Sequence, residues 1–369
     1  MASHPHGQHP HGQHPHGQHP HGQHPHAAHA DFDRAPRRIY WELTRACGLA
    51  CQHCRAEAQH ARLPDELDTA QAFAVLDAFR DLRPAPVVVL TGGDPLERPD
   101  FWEIFDHAKS AGLHVDVAPS ATPKLTREVI LELARRGVGA MSLSLDGSTA
   151  EAHDALRGIP GCFARTFEAA RHMSEAHIPL QINTLVTAGT LSDMPAVLER
   201  VGETRAKRWS LFFLVTTGRG SLLPQIRPQD AEELLRWAHE ASTRAGFVVS
   251  ATEAPMYRRV LLQATGKPPD AAVPGAGMRD GSGILFISYR GDVQPSGFLP
   301  LTAGNVRDAS PLAIYRDAPL FRSLRDPGGF GGRCGRCEYR KVCGGSRGRA
   351  YAASGDPLAE DPLCVHQPA

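Results

Sequence analysis

From residue 39 onward, short apolar runs alternate with longer stretches in which apolar residues recur at helical spacing. The runs are Ile39–Leu43, Val87–Leu90, Val115–Ala118, Met141–Leu145, Leu180–Val186 and Trp209–Val215. Their length and boundaries predict strands. The segments between them, Thr69–Leu82, Arg98–Ala111, Thr126–Arg136, Phe163–Ala176 and Ser192–Val201, predict amphipathic helices, with Thr69 and Thr126 as N-caps. Strand–helix alternation at this period predicts βαβ units with right-handed crossovers and a parallel sheet. Six units are visible, short of the eight in a closed barrel, so the expected fold is α/β, a partial (β/α)6 TIM-like barrel over residues 36–250. Residues 251–281 lapse into Pro/Gly-rich text and predict a linker. Residues 282–369 predict a small α+β unit that opens with a hairpin in Ile284–Phe298 and ends rich in cysteine.

Ahead of the barrel, residues 1–35 read differently. Residues 4–26 repeat the pentad His-Pro-His-Gly-Gln, and the first 30 residues carry eleven of the twenty histidines. Proline and glycine in every repeat remove helix and ladder hydrogen bonds, and nothing apolar offsets the ordering entropy, so the tail is expected to be disordered. It reads as a tag, as an inert leader, or as a loose imidazole chelator of divalent metal such as nickel, zinc or copper.

Composition narrows the function classes. The 369 residues are 41% hydrophobic and 22% charged, enough to bury a large core and a smaller one. Forty Lys+Arg balance forty Asp+Glu, which offers no electrostatic case for nucleic acid or an anionic membrane surface. With no run of about 18 apolar residues and no signal-peptide core, the expected location is cytoplasmic and no membrane is involved.

Seven of the eight cysteines fall in two clusters, Cys47/51/54 and Cys334/337/343/364, a pattern of metal ligation rather than disulfides in a cytosolic chain. The first has the spacing C-x3-C-x2-C directly after the first strand. A zinc site using His53 as fourth ligand is disfavoured because His53 adjoins Cys54. Three thiolates instead hold three irons of a [4Fe–4S] cube and leave the fourth open. The second cluster, C-x2-C-x5-C-x20-C, suits either zinc or iron–sulfur. Cys162 stands apart and reads as a buried, inert thiol.

A parallel α/β sheet binds ligands past the carboxyl ends of its strands. Polar and flexible residues converge there: Thr91-Gly92-Gly93-Asp94-Pro95 after the second strand, Pro119-Ser120 after the third, Ser144 and Asp146-Gly147 at the fourth, Asn183 in the fifth and Thr216-Thr217-Gly218 after the sixth.

The cysteine triad after one strand and the Gly-Gly-acid loop after the next resemble the radical S-adenosylmethionine (SAM) superfamily from Ile39 onward. That resemblance implies an enzyme that reductively cleaves SAM at a [4Fe–4S] cluster on Cys47, Cys51 and Cys54, producing a 5′-deoxyadenosyl radical that abstracts hydrogen from a substrate. It implies SAM contacts from Gly92, Gly93, Asp94, Ser120, Ser144 and Asn183, with His53 beside the cofactor and Arg157 either pairing with a carboxylate or standing as a surface arginine. Ser120, Ser144 and Asn183 also fit as satisfied structural groups. An electron donor such as flavodoxin or ferredoxin is implied as partner.

The C-terminal cysteines resemble the SPASM/twitch extension, implying one auxiliary [4Fe–4S] cluster on Cys334, Cys337, Cys343 and Cys364. Ser296 and Arg347 stand at usual cysteine positions of that extension, which denies a second auxiliary cluster its ligands. Relatives of this architecture act on a tetrapyrrole or on a ribosomal peptide. About a dozen non-repetitive residues precede Ile39, too few for a leader-binding domain, and this, with the single auxiliary cluster, favours oxidation or decarboxylation of a tetrapyrrole side chain. Peptide modification is the alternative; a metal-binding or electron-transfer protein without catalysis would need no SAM pocket.

Overall fold

The computed structural model describes Met1 and residues 31–368; the histidine repeat lies outside the described residues. The predicted runs form strands β1 (Arg38–Glu42), β2 (Val87–Thr91), β3 (His114–Val117), β4 (Met141–Ser144), β5 (Leu180–Val186) and β6 (Arg208–Phe213). Between them lie α1 (Thr69–Asp77), α2 (Phe101–Ser110), α3 (Arg127–Arg135), α4 (Ala150–Arg157), α5 (Cys162–Glu175) and α6 (Met194–Glu203). Alternation along the strands sorts the two faces of the sheet. Ile39, Trp41, Val88, Leu90, Val115 and Val117 are at most 1% exposed and share one core with helix residues Ile104, Phe105, Ile130 and Leu133. The opposite face is more polar and half-buried at Tyr40, Asp116, Ser144 and Asn183.

The helix starts follow from local chemistry. Thr126 caps α3 by accepting from the Val129 amide, as expected. The cap of α1 is Asp68 rather than Thr69: Asp68 accepts from the Gln71 amide while the Gln71 side chain accepts from the Asp68 amide, a reciprocal box that leaves Thr69 inside the helix.

The sheet extends further than the six predicted units. After α7 (Pro228–Arg244) comes β7 (Val248–Thr252), parallel to β6. Its apolar run is only Phe247–Val249 before Ser250 and Thr252, and Val248 is 52% exposed, so the segment reads weakly as a strand. The stretch expected as a linker contains α8 (Tyr257–Ala264). The expected hairpin forms from β8 (Ile284–Ile287) and β9 (Asp292–Gln294), and β10 (Gly304–Asn305) adds to it. β8 lies parallel beside β1, pairing Arg38 with Ile284 and Trp41 with Ile287, so the sheet continues across residue 282. The order is β10-β9-β8-β1-β2-β3-β4-β5-β6-β7, an open sheet whose β8 through β7 are parallel. Four short helices follow, α9 (Pro311–Asp317), α10 (Pro319–Arg325), α11 (Gly332–Arg336) and α12 (Arg347–Ser354), and carry the second set of cysteines in and around them.

Candidate active site

The loop leaving β1 carries Cys47, Cys51 and Cys54, all free thiols, the first two buried and the third half-buried. Each sulfur has an N–H donor: the Leu49 amide 3.4 Å from Cys47, the Ala58 amide 3.4 Å from Cys54, and the Arg157 guanidinium 3.7 Å from Cys51. Burial pushes the Cys47 thiol up to about 11, so an isolated thiolate is unfavourable there and needs a cation to compensate it. Three neighbouring sulfurs, two of them buried, each with an N–H donor, fit an iron–sulfur cluster.

Neighbouring loops hold this one in shape. Ala50 and Gln52 donate to the carbonyls of Arg157, Leu156 and Ala155, which are the open acceptors at the end of α4. Gly158, left-handed at φ +71°, ends α4, and a Cβ there would meet the Ala50 carbonyl at 2.6 Å. Gly92 and Gly93 act in the same way. An added Cβ on Gly92 would lie 2.5 Å from the Thr44 oxygen, and the Gly93 and Asp94 amides donate to Thr44 and Ala46 at 2.7 Å. Their small size therefore lets the cysteine loop close onto the β2 loop, a role that sequence reasoning assigned only toward SAM. Ser120 joins both, donating to the Gly93 carbonyl at 3.2 Å and lying 3.5 Å from the Cys47 sulfur.

Asp94 is fully buried. Its carboxylate accepts from the Leu96 amide and the Thr122 hydroxyl, both at 3.1 Å, and burial pushes it up to about 6. Arg157 pairs with Asp146 instead of standing free. Burial alone would raise the Asp146 carboxyl, but the Arg157 guanidinium outweighs it and holds that carboxyl below its ordinary range. His53 lies near this pair, and burial lowers its imidazole to about 4. Its Nδ1 is buried without a hydrogen-bond partner. Ser144 and Asn183 are register partners on β4 and β5, one strand apart, with the Asn183 side chain accepting from Gln181 at 2.7 Å. Cys162, remote in sequence, is 1% exposed and packs beside Cys47 and Cys51.

The second set, Cys334, Cys337, Cys343 and Cys364, lines a single pocket together with Arg333, Asp361 and His366. The Asp361 amide points at Cys334 and the Gly345 amide at Cys343, each at 3.4 Å. Burial raises the Cys343 thiol to about 12, again a site that requires a compensating cation. The two expected cysteine positions are filled by satisfied side chains. Ser296 accepts from the Phe298 amide at 3.1 Å. Arg347, fully buried, donates to the carbonyls of Pro357 and Ala359, approaches Cys334 at 3.6 Å and stacks on Phe330 at 4.6 Å.

Sequence reasoning passed over several residues that the fold recruits. Arg98 is 2% exposed and donates to the Leu43 carbonyl at 2.9 Å, anchoring the start of the cysteine loop. Arg219 binds the Cys51 carbonyl at 2.9 Å. Glu253, just past β7, accepts from the Ser346 hydroxyl, and burial with Asp280 nearby pushes its carboxyl upward. Arg349 spans from the Leu214 carbonyl past β6 to Asp361, so polar contacts run from the strand ends to the second cysteine pocket. Arg98 and Arg219 follow the ends of β2 and β6, the one signal that could have found them; Arg349 lies inside α12 and had none.

The family profile described as the Radical SAM superfamily matches residues 41–201. An AdoMet-dependent heme synthase of Methanosarcina barkeri is 40% identical, over 90% of this chain and 97% of its own. Mycofactocin maturase MftC of Mycobacterium ulcerans is 33% identical, over 90% and 88%. The crystal structure of Streptococcus suis SuiB bound to precursor peptide SuiA superposes with a TM-score of 0.71 at 16% identity, covering 90% of this chain and 76% of SuiB, which shows the shared fold.

Proposed function

The chain belongs to the radical SAM superfamily, and from that premise we propose that Cys47, Cys51 and Cys54 are the thiolates that hold its SAM-binding [4Fe–4S] cluster. The observation that carries this is the loop itself: three free thiols, two buried and one half-buried, each with an N–H donor, closed against Gly92–Gly93. When bound, the cluster and SAM supply the 5′-deoxyadenosyl radical that removes hydrogen from substrate. The protein's part is to position and to exclude water. Ser144 and Asn183, from the polar face of the sheet, and Ser120, from the loop after β3, offer hydroxyl and amide groups to SAM. Asp94 orders the β2 loop through Leu96 and Thr122 rather than reaching outward. Cys334, Cys337, Cys343 and Cys364 hold one auxiliary [4Fe–4S] cluster, and a small donor such as flavodoxin or ferredoxin delivers electrons.

We further propose that the substrate is a tetrapyrrole and the reaction an oxidative decarboxylation or related oxidation of its carboxylate-bearing side chains. Identity of 40% to a heme synthase across nearly both whole chains supports this. The alternative, modification of a ribosomal peptide, draws support from 33% identity to a mycofactocin maturase. Among the described residues no helix is long and apolar enough to cross a membrane, which suits a cytoplasmic setting. The test is anaerobic incubation of reconstituted protein with SAM, dithionite and a propionate-bearing iron tetrapyrrole. Formation of 5′-deoxyadenosine with loss of carbon dioxide from the macrocycle is expected. Turnover of a candidate peptide with the tetrapyrrole left intact would favour the alternative.

A further inference from the structure

Two guanidinium groups contact Cys51, one at its sulfur and one at its carbonyl. Arg157, the last residue of α4, approaches its sulfur at 3.7 Å. Arg219, in the turn after β6, donates Nε to its carbonyl at 2.9 Å, and the Arg219 amide donates to the Cys54 carbonyl at 3.1 Å. Neither side chain is a loose surface group. Arg157 is 12% exposed and fixed by its ion pair with Asp146, itself 1% exposed. The α4 carbonyls take their donors from Ala50 and Gln52, which leaves the Arg157 guanidinium for Asp146 and Cys51.

Two further facts set this grip apart from ordinary packing. Arg157 Nε and Arg219 Nη2 are buried without a hydrogen-bond partner, a costly state for a charged group. The approach of both loops is also built into the backbone. Gly218 is left-handed at φ +54°, and a Cβ there would lie 2.5 Å from the Arg55 carbonyl; Gly158 meets the Ala50 carbonyl in the same fashion. A purely mechanical clamp would be served by neutral donors at lower desolvation cost.

We infer that Arg157 and Arg219 are positioning residues that raise the reduction potential of the SAM-binding cluster by holding two positive charges against Cys51. The inference rests on the reading of Cys51 as a cluster ligand. One electron from the external reductant adds negative charge to a cluster already bearing thiolates. A fixed cation beside a ligand favours the reduced form over the oxidised one. Asp146 opposes this by partly neutralising Arg157.

The test is a potentiometric titration of the full chain, anaerobically reconstituted and followed by electron paramagnetic resonance. The SAM-cluster signal is the one missing from the Cys47/Cys51/Cys54→Ala protein. Arg157→Gln and Arg219→Gln are each expected to reduce the ratio of reduced to oxidised cluster about tenfold at a fixed potential, about 59 mV. Arg157→Lys should recover most of that, Asp146→Asn should move the midpoint the other way, and the auxiliary signal should stay put. Full iron with an unmoved midpoint in the Gln variants overturns the inference while leaving Cys51 as ligand. A Cys51→Ala protein that keeps full iron and the SAM-cluster signal would overturn the ligand reading instead. If the Gln variants lose the cluster, Asp146→Asn decides: an unmoved midpoint, or cluster loss there and in Arg157→Lys, marks a structural role and sinks the proposal.

Discussion

Gly93 stands where any side chain would strike the cysteine loop: a Cβ added there would lie 2.3 Å from the carbonyl oxygen of Ala46. The obstacle is backbone, which cannot rotate aside as a flexible side chain can. Gly93→Ala should therefore push the loop off the β2 turn and misplace Cys47. Overpacking of this kind typically costs about 1–3 kcal/mol. The expected result is loss of the first cluster's iron and a fall of at least roughly tenfold in 5′-deoxyadenosine formation. Iron analysis with product chromatography checks it, and wild-type values in both would show that the loop yields without consequence.

The two cysteine sets should fail separately. Iron should approach about eight per chain, two cubes of four. Replacing Cys47, Cys51 and Cys54 with Ala should remove about half of it and abolish SAM cleavage. Cys343→Ala should instead damage the auxiliary site and substrate turnover while sparing much of the uncoupled cleavage. Equal loss of both activities in both variants would argue that the sites do not act independently.

Arg347 replaces a ligand by a strut. Its fully buried guanidinium serves two carbonyls and the ring of Phe330, so Arg347→Ala leaves buried acceptors without donors. A cost of about 1–3 kcal/mol per orphaned group predicts loss of the auxiliary cluster's absorbance with the first cluster retained. Retention of both clusters in the variant would remove Arg347 from that role.

His153 makes stability depend on pH. It is fully buried, its Nδ1 accepts from the Asp146 amide at 3.0 Å, and burial lowers it from 6.5 to about 4. The unfolded chain thus binds a proton that the folded chain refuses between those values, so stability falls as the pH drops from 6.5 toward 4. The interval corresponds to about 3 kcal/mol. The stability gap between wild type and His153→Gln should shrink on acidification, as denaturant midpoints across that range would reveal. A gap that is constant with pH would show that His153 does not titrate in this way.

Deleting residues 1–30 should leave SAM cleavage intact and weaken nickel or zinc binding, because the repeat offers imidazoles but nothing apolar to join a core. Calorimetric titration of both forms measures the second effect. A slower catalytic rate after truncation would mean that the segment reaches the active site.

By itself the sequence determined what is local in the chain. Strand and helix alternation over β1 to β6, the cysteine spacing and the Gly92–Gly93 loop are all written within a few residues of one another, and periodicity or ligand chemistry reads them directly. Tertiary structure alone decided what depends on distant segments meeting. Arg219 reaches Cys51 across 168 residues and Arg157 reaches it across 106, and no periodicity records such a meeting. β7 has only a three-residue apolar run, and the place of β8 beside β1 depends on register between strands far apart in the chain. Asp94 and Cys162 gained their settings in the same way. The sequence names their chemistry, but burial and the atoms around them, which govern what a carboxylate or thiol can do, exist only once the loops have closed.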